Sequence, residues 1–179
     1  MTPEQKRKFG AGGIAAAVVI VIVQTSKALA LAMLSTDNRI PLLGDLFGLQ
    51  LAFNPGAILS LGAGSTWLLT IVGVVAVGFL IAATMRVRTG IGAVGWGLVL
   101  GGAVGSLIDR LIAPPGFGVG HVADCLAYGT LFIGNLADVA LGAGAVLLFI
   151  GAWRKGRNSG TSAPAEPSEP TQQPEVQAS

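Results

Sequence analysis

Two aspartates, Asp124 and Asp138, carry the most promising chemistry in this chain. Of its nine acidic residues, Glu4, Glu166, Glu169 and Glu175 lie near the ends, while Asp37, Asp45, Asp109, Asp124 and Asp138 lie between them. Two carboxylates brought within a few ångströms of each other cannot both ionise freely, so they share a proton and their titrations separate. One can then act as general base on a water and the other as general acid, which is the equipment for hydrolysing a peptide bond without a covalent intermediate. Rival apparatus is scarce. The single histidine, His121, is one too few for an HExxH zinc site, and no GxSG serine elbow occurs. Cys125 has no second cysteine to pair with and reads as packing. No metal site is expected. Asp109 beside Arg110 reads as an interfacial ion pair, and Asp37 and Asp45 as solvated loop acids. Asp138 following Asn135 also fits the start of a helix, where both residue types are favoured.

The elements that must position these acids are membrane spans. A mean hydropathy of +0.71, with 52% hydrophobic and only 11% charged residues, is too apolar for a soluble domain of this length. Four stretches reach the roughly 20 residues needed to cross a hydrocarbon core, about 11–34, 66–85, 91–108 and 134–153. The first begins after Lys6-Arg7-Lys8, as a secretory signal would, but it exceeds the usual h-region and contains Lys27, so it is read as a retained span. Frequent glycine within the spans suits close helix contacts in lipid. Lys6, Arg7, Lys8, Arg86, Arg88, Arg154, Lys155 and Arg157 all fall on one side if the spans alternate, which puts both termini in the cytoplasm and the central acids at the outer face. Lys27, Arg39 and Arg110 lie outside that pattern. The scattered basic residues form no stripe for nucleic acid.

The first outer connection alternates Phe47, Leu49, Leu51 and Phe53 with smaller or polar residues, the period of a strand. Asn54-Pro55-Gly56 follows as a turn, with 57–61 as a possible returning strand. The second connection, from Asp109, reads as loop until Val122. From Arg154 onward the chain is rich in Pro, Ser, Glu and Gln, the composition of a disordered tail. The expected architecture is an all-α integral membrane protein: a four-transmembrane-helix bundle under a small extracytoplasmic β-sheet cradle.

In order along the chain, Gln24-Thr25-Ser26-Lys27, Asn54-Pro55-Gly56-Ala57, the run from Gly101 to Leu111, Gly120-His121-Val122-Ala123-Asp124 and Asn135-Leu136-Ala137-Asp138 resemble the motifs of bacterial lipoprotein signal peptidases, the signal peptidase II family. The resemblance covers nearly all of residues 10–153. It implies an aspartic endopeptidase that cuts prolipoproteins just before a diacylglyceryl-modified cysteine, with Asp124 and Asp138 as the catalytic pair. It also implies that Lys27, Asn54, Gly56, Asp109, Arg110 and Asn135 line or support the site. Membrane lipid and lipidated prolipoproteins are the expected partners, the protein is expected to act as a monomer, and no cofactor is called for. The chain departs from the family pattern at Val23, where an acid is usual, at Ser106, where Asn is usual, and in a longer stretch between Arg110 and Asp124. Two rival readings are a non-catalytic paralogue that binds lipoproteins or their signal peptides, and a small proton-conducting bundle. The apolar inner halves of the second and fourth spans count against conduction.

Overall fold

A computed structural model describes residues 2–57 and 61–159, and all structural statements concern these. Four long helices, α1 (Pro3–Met33), α2 (Thr66–Met85), α3 (Gly90–Ile112) and α4 (Leu136–Ser159), are joined at one end by a short link and at the other by an antiparallel sheet. Each is long and apolar enough to cross a membrane. Their outward faces carry exposed Val21, Val75, Phe79 and Phe149, which only hydrocarbon would solvate. The helices match the expected spans, with α1 starting earlier and α3 running on to Ile112. α4 continues past Trp153 to Ser159, so the first residues assigned to the tail are helical; the remainder of that tail lies outside the described residues.

The helix α3 is the hub, lying against all three others. Its glycines let it do so. A Cβ on Gly97 would stand 2.4 Å from the Gly12 carbonyl oxygen of α1, and one on Gly105 would stand 2.8 Å from Val23. On the opposite side a Cβ on Gly102 would meet the Ala137 carbonyl of α4 at 2.7 Å. Small residues replace the missing hydrophobic drive in lipid by allowing backbone-to-backbone contact.

The sheet is larger than the sequence predicts. Its order is β1-β2-β3-β4, with β1 (Ile40–Leu43) and β2 (Phe47–Asn54) from the first connection and β3 (Val122–Tyr128) and β4 (Phe132–Gly134) from the second. The alternating residues 47–53 do form a strand, but its neighbours are β1 and β3. The returning strand expected at 57–61 falls mostly outside the described residues. Tyr128 packs between Phe47 and Phe132, at centroid distances of 5.5 and 4.8 Å, joining β2, β3 and β4 on one face. Ala52 pairs with Asp124 in the β2–β3 register. A residue between two spans is thereby placed over the bundle by a strand.

Candidate functional site

Asn135 organises the two aspartates. Its side-chain oxygen accepts from the backbone N–H of Ala137 at 2.7 Å and of Asp138 at 3.4 Å, capping the start of α4. In return Asp138 Oδ2 accepts the Asn135 backbone N–H at 3.0 Å, which completes a reciprocal capping box. The free end of the same amide, Nδ2, donates to Asp124 Oδ1 at 2.5 Å. Two bonds, one from its backbone and one from its side chain, thus tie both carboxylates to one buried residue. Asp138 thus has the helix-start role read from the sequence, and Asn135 links it to Asp124.

The environments of the two acids differ. Asp124 is buried in β3, whereas Asp138 is exposed on the first turn of α4. Burial pushes the Asp124 carboxyl above its ordinary value of 3.8. The hydrogen bond from Asn135 pulls it back, the charge of Asp138 raises it again, and a hydrogen bond from Asn54 and the charge of Lys27 oppose that rise. The outcome is a carboxyl that holds its proton more readily than a solvated one. The adjoining cavity, about 320 Å³, is lined by Ala52, Phe53, Asn54, Asp124, Leu131, Phe132 and Ile133. Its walls are mostly apolar, with Asn54 and Asp124 as polar points.

The turn after β2 presents Asn54. Its Oδ1 accepts the Gly56 N–H at 2.9 Å and its Nδ2 donates to the Ala57 carbonyl at 3.1 Å, an Asx-type turn. Arg110 secures that turn from below, donating to the Pro55 carbonyl at 3.1 Å and also to the Gly56 carbonyl. Thr66 adds a bond to the Pro55 carbonyl at 2.9 Å.

One expectation is corrected here. Asp109 does not pair with its neighbour Arg110; its Oδ2 pairs with Lys27 Nζ of α1 at 2.7 Å, both side chains being buried. Successive residues on a helix point about 100° apart, so Asp109 turns toward α1 while Arg110 turns toward the Asn54 loop. The pair also answers the departure at Val23: with an apolar residue there, packed on Gly105, Lys27 takes its acid from α3. Asp109 Oδ2 further accepts the Ala123 N–H at 3.1 Å, which pins β3 next to Asp124. Gln24, which was not singled out as a site residue, donates to the Gly105 carbonyl at 2.9 Å and to Asp109 Oδ1 at 3.4 Å. A polar side chain three residues before Lys27, hence on the same helix face, is the signal that points to it. Arg39, the last unassigned cation, donates to the carbonyls of Gly129 and Asp45 at 3.0 Å each, joining the tips of the two hairpins. Lys27, Arg39 and Arg110, the basic residues outside the one-sided pattern, all bind groups at the sheet end.

Of the remaining residues, Cys125 is buried beside Ala30 and Leu51, as packing requires. His121 engages through its backbone, donating to the Pro114 carbonyl at 2.9 Å. Asp37 and Asp45 are exposed. Among the described residues no cluster of ligands suited to a metal ion occurs.

Residues 15–154 match the model of a family described as signal peptidase (SPase) II. The chain is 46% identical over 129 residues to the lipoprotein signal peptidase of Leifsonia xyli subsp. xyli, a match covering 72% of this chain and 60% of that protein. It is 39% identical over 137 residues to that of Rhodococcus jostii, covering 76% of this chain and 69% of the relative. The chain thus spans less than two thirds of the Leifsonia relative's length. A solved bacterial membrane enzyme shares the fold with a TM-score of 0.68 at 21% identity, over 86% of this chain and 94% of its own. Four apolar helices, the antiparallel sheet and these matches lead to one conclusion: this is a bacterial membrane protein, and it belongs to the signal peptidase II family.

Proposed function

We propose that the protein is an aspartic endopeptidase that removes the signal peptide from diacylglyceryl-modified prolipoproteins, using Asp124 and Asp138 as its catalytic pair. The observation that carries this reading is the joint hydrogen bonding of both carboxylates to Asn135, beside a cavity that has Asp124 in its wall. Burial favours the protonated form of Asp124. Asp138 accordingly serves as base and Asp124 as acid. Asp138 takes a proton from water as its oxygen bonds to the scissile carbonyl carbon, and Asp124 gives its proton to the carbonyl oxygen. Collapse of the tetrahedral intermediate breaks the C–N bond, with a proton passing from the pair to the leaving nitrogen. A new carboxyl ends the signal peptide, and the lipidated cysteine is left with a free α-amino group.

Asn54, Gly56 and Arg110 hold the turn at the cavity, and Lys27 with Asp109 holds the strand that carries Asp124. The apolar wall formed by Phe53, Leu131, Phe132 and Ile133 suits a substrate that is half peptide and half lipid. The chain acts as a monomer in contact with membrane lipid. Its basic end faces the cytoplasm, so the sheet and the site face outward: Lys8 Nζ bonds to the Arg88 carbonyl at 2.5 Å, which gathers the N-terminal cations and the α2–α3 link at the end opposite the site. The test is to incubate the purified protein in lipid nanodiscs with a diacylglyceryl-modified prolipoprotein and follow release of the signal peptide. Release that depends on the diacylglyceryl group supports the reading, and an intact substrate in every lipid tried refutes it.

A further inference from the structure

Between α3 and β3 the chain makes a finger with an unusual composition. From Leu111 to Gly120 no side chain carries a charge or a hydrogen-bonding group. A loop bathed in water has no need to be so apolar, and its large side chains are the ones most open: Ile112 is 77% exposed and Phe117 85% exposed. The finger also bends back toward the bundle. Thr70 Oγ1 donates to the Gly118 carbonyl at 2.8 Å, and Thr70 lies a full turn inside α2, about 6 Å below its first residue at a rise of about 1.5 Å per residue. The residue next to Phe117 is therefore held at a depth that belongs to the spanning part of α2. Trp67 and Ile71, which flank Thr70, are themselves more than half exposed on the wall of the bundle that lipid must cover.

Irregular backbone survives at membrane depth only when its polar groups are bonded within the protein. This finger meets that condition at several points. Gly118 N–H donates to the Leu111 carbonyl at 3.4 Å, Gly120 N–H to the Arg110 carbonyl at 3.0 Å and His121 N–H to the Pro114 carbonyl at 2.9 Å. Gly120 is closely held, since a Cβ there would fall 2.2 Å from the Asp109 carbonyl oxygen. We infer that the Leu111–Gly120 finger is a re-entrant lipid contact, with Phe117 seated among the acyl chains of the leaflet at the sheet end and Thr70 as its anchor. The occupant is the bilayer itself, because the exposed Phe117 adjoins Gly118, whose carbonyl is bonded to Thr70 beside the exposed Trp67 and Ile71 of α2. The inference does not depend on the proposed peptidase activity.

A nitroxide label on Phe117→Cys in lipid nanodiscs tests it, with labels on Val75→Cys and Asp37→Cys as the lipid-facing and aqueous references. Unsubstituted protein, whose one thiol at Cys125 is buried, gives the labelling background. The expected result is frequent collision with oxygen and a loss of collisions with a water-soluble nickel chelate, as for Val75→Cys. Chelate collisions equal to those of Asp37→Cys would overturn the inference. So would shielding from both reagents, which would put a second protein chain on the finger. Thr70→Val, which keeps the shape and removes the donor, should raise chelate collisions at the Phe117→Cys label. No change in that variant would remove Thr70 as the anchor and overturn that part of the inference.

Discussion

Replacing Asn135 separates what it does for the helix from what it does for the acids. Asn135→Ala removes the cap of α4, worth about 1 kcal/mol, and the amide hydrogen bond to Asp124, worth about 0.5–1.5 kcal/mol. Asn135→Ser keeps an oxygen able to cap the helix, since serine is as good an N-cap as asparagine, but it cannot supply the 2.5 Å amide donor to Asp124. The serine variant should therefore lose only the Asp124 bond, and the alanine variant about 1 kcal/mol more than the serine variant. Both should cleave slowly. A loss of about 0.5–1.5 kcal/mol in holding the reacting groups corresponds to roughly 2- to 12-fold in kcat/KM. The pH profile should move as well. The Asn135 bond pulls the Asp124 titration down against burial, so without it Asp124 keeps its proton to higher pH and the corresponding limb of the profile shifts upward. Cleavage of a lipidated prolipoprotein across pH, together with denaturant resistance in detergent, measures both effects. A serine variant with the parent's rate and pH profile would refute the reasoning.

Asp124→Asn and Asp138→Asn should each abolish cleavage while leaving the fold intact, and a near-parental rate in either would remove that residue from the catalytic pair. Asp124→Asn should also flatten part of the pH dependence of stability. Because burial raises the Asp124 pKa on folding, its contribution is fully present below 3.8 and is lost as pH climbs through the raised value, so the substituted protein should lack that decline in a pH series of unfolding curves. Lys27→Met should destabilise by about 3–5 kcal/mol, since it strands the buried Asp109 carboxylate, and adding Asp109→Asn should recover part of the loss in a double-mutant cycle. Gly102→Ala places a methyl 2.7 Å from the Ala137 carbonyl in the first turn of α4. It should cost about 1–3 kcal/mol and reduce cleavage, because that turn carries Asp138; unchanged stability and rate would contradict the packing.

The helices were legible because bilayer thickness fixes how long an apolar run must be, and the ends of α2 fall where the hydropathy changes. Asp124 and Asp138 stood out for a related reason, as acids next to segments that exclude charge. The partners of the buried cations were not legible. Lys27 meets Asp109 only because Gly105 lets α1 and α3 approach, and nothing local to either residue encodes that approach. Arg110 beside Asp109 looked like an ion pair, yet adjacent helical residues diverge, and each found its partner on a different element. The sheet was half visible. β2 announced itself by alternation, whereas β1 and β4 span only four and three residues, too short for a period to register. Asp138, which falls inside the expected fourth span, is exposed on the first turn of α4 although Asn135 and Ala137 beside it are buried.

The capping box at Asn135 has a consequence for biosynthesis. Asn135 bonds Asp138 within the first turn of α4 and Asp124 across on β3, so the two carboxylates are not tied together until α4 has entered the bilayer and wound that turn. A chain still emerging from the ribosome with three helices inserted holds Asp124 without its amide partner. On the proposed reading of Asp124 and Asp138, insertion of α4 is the step that assembles the pair.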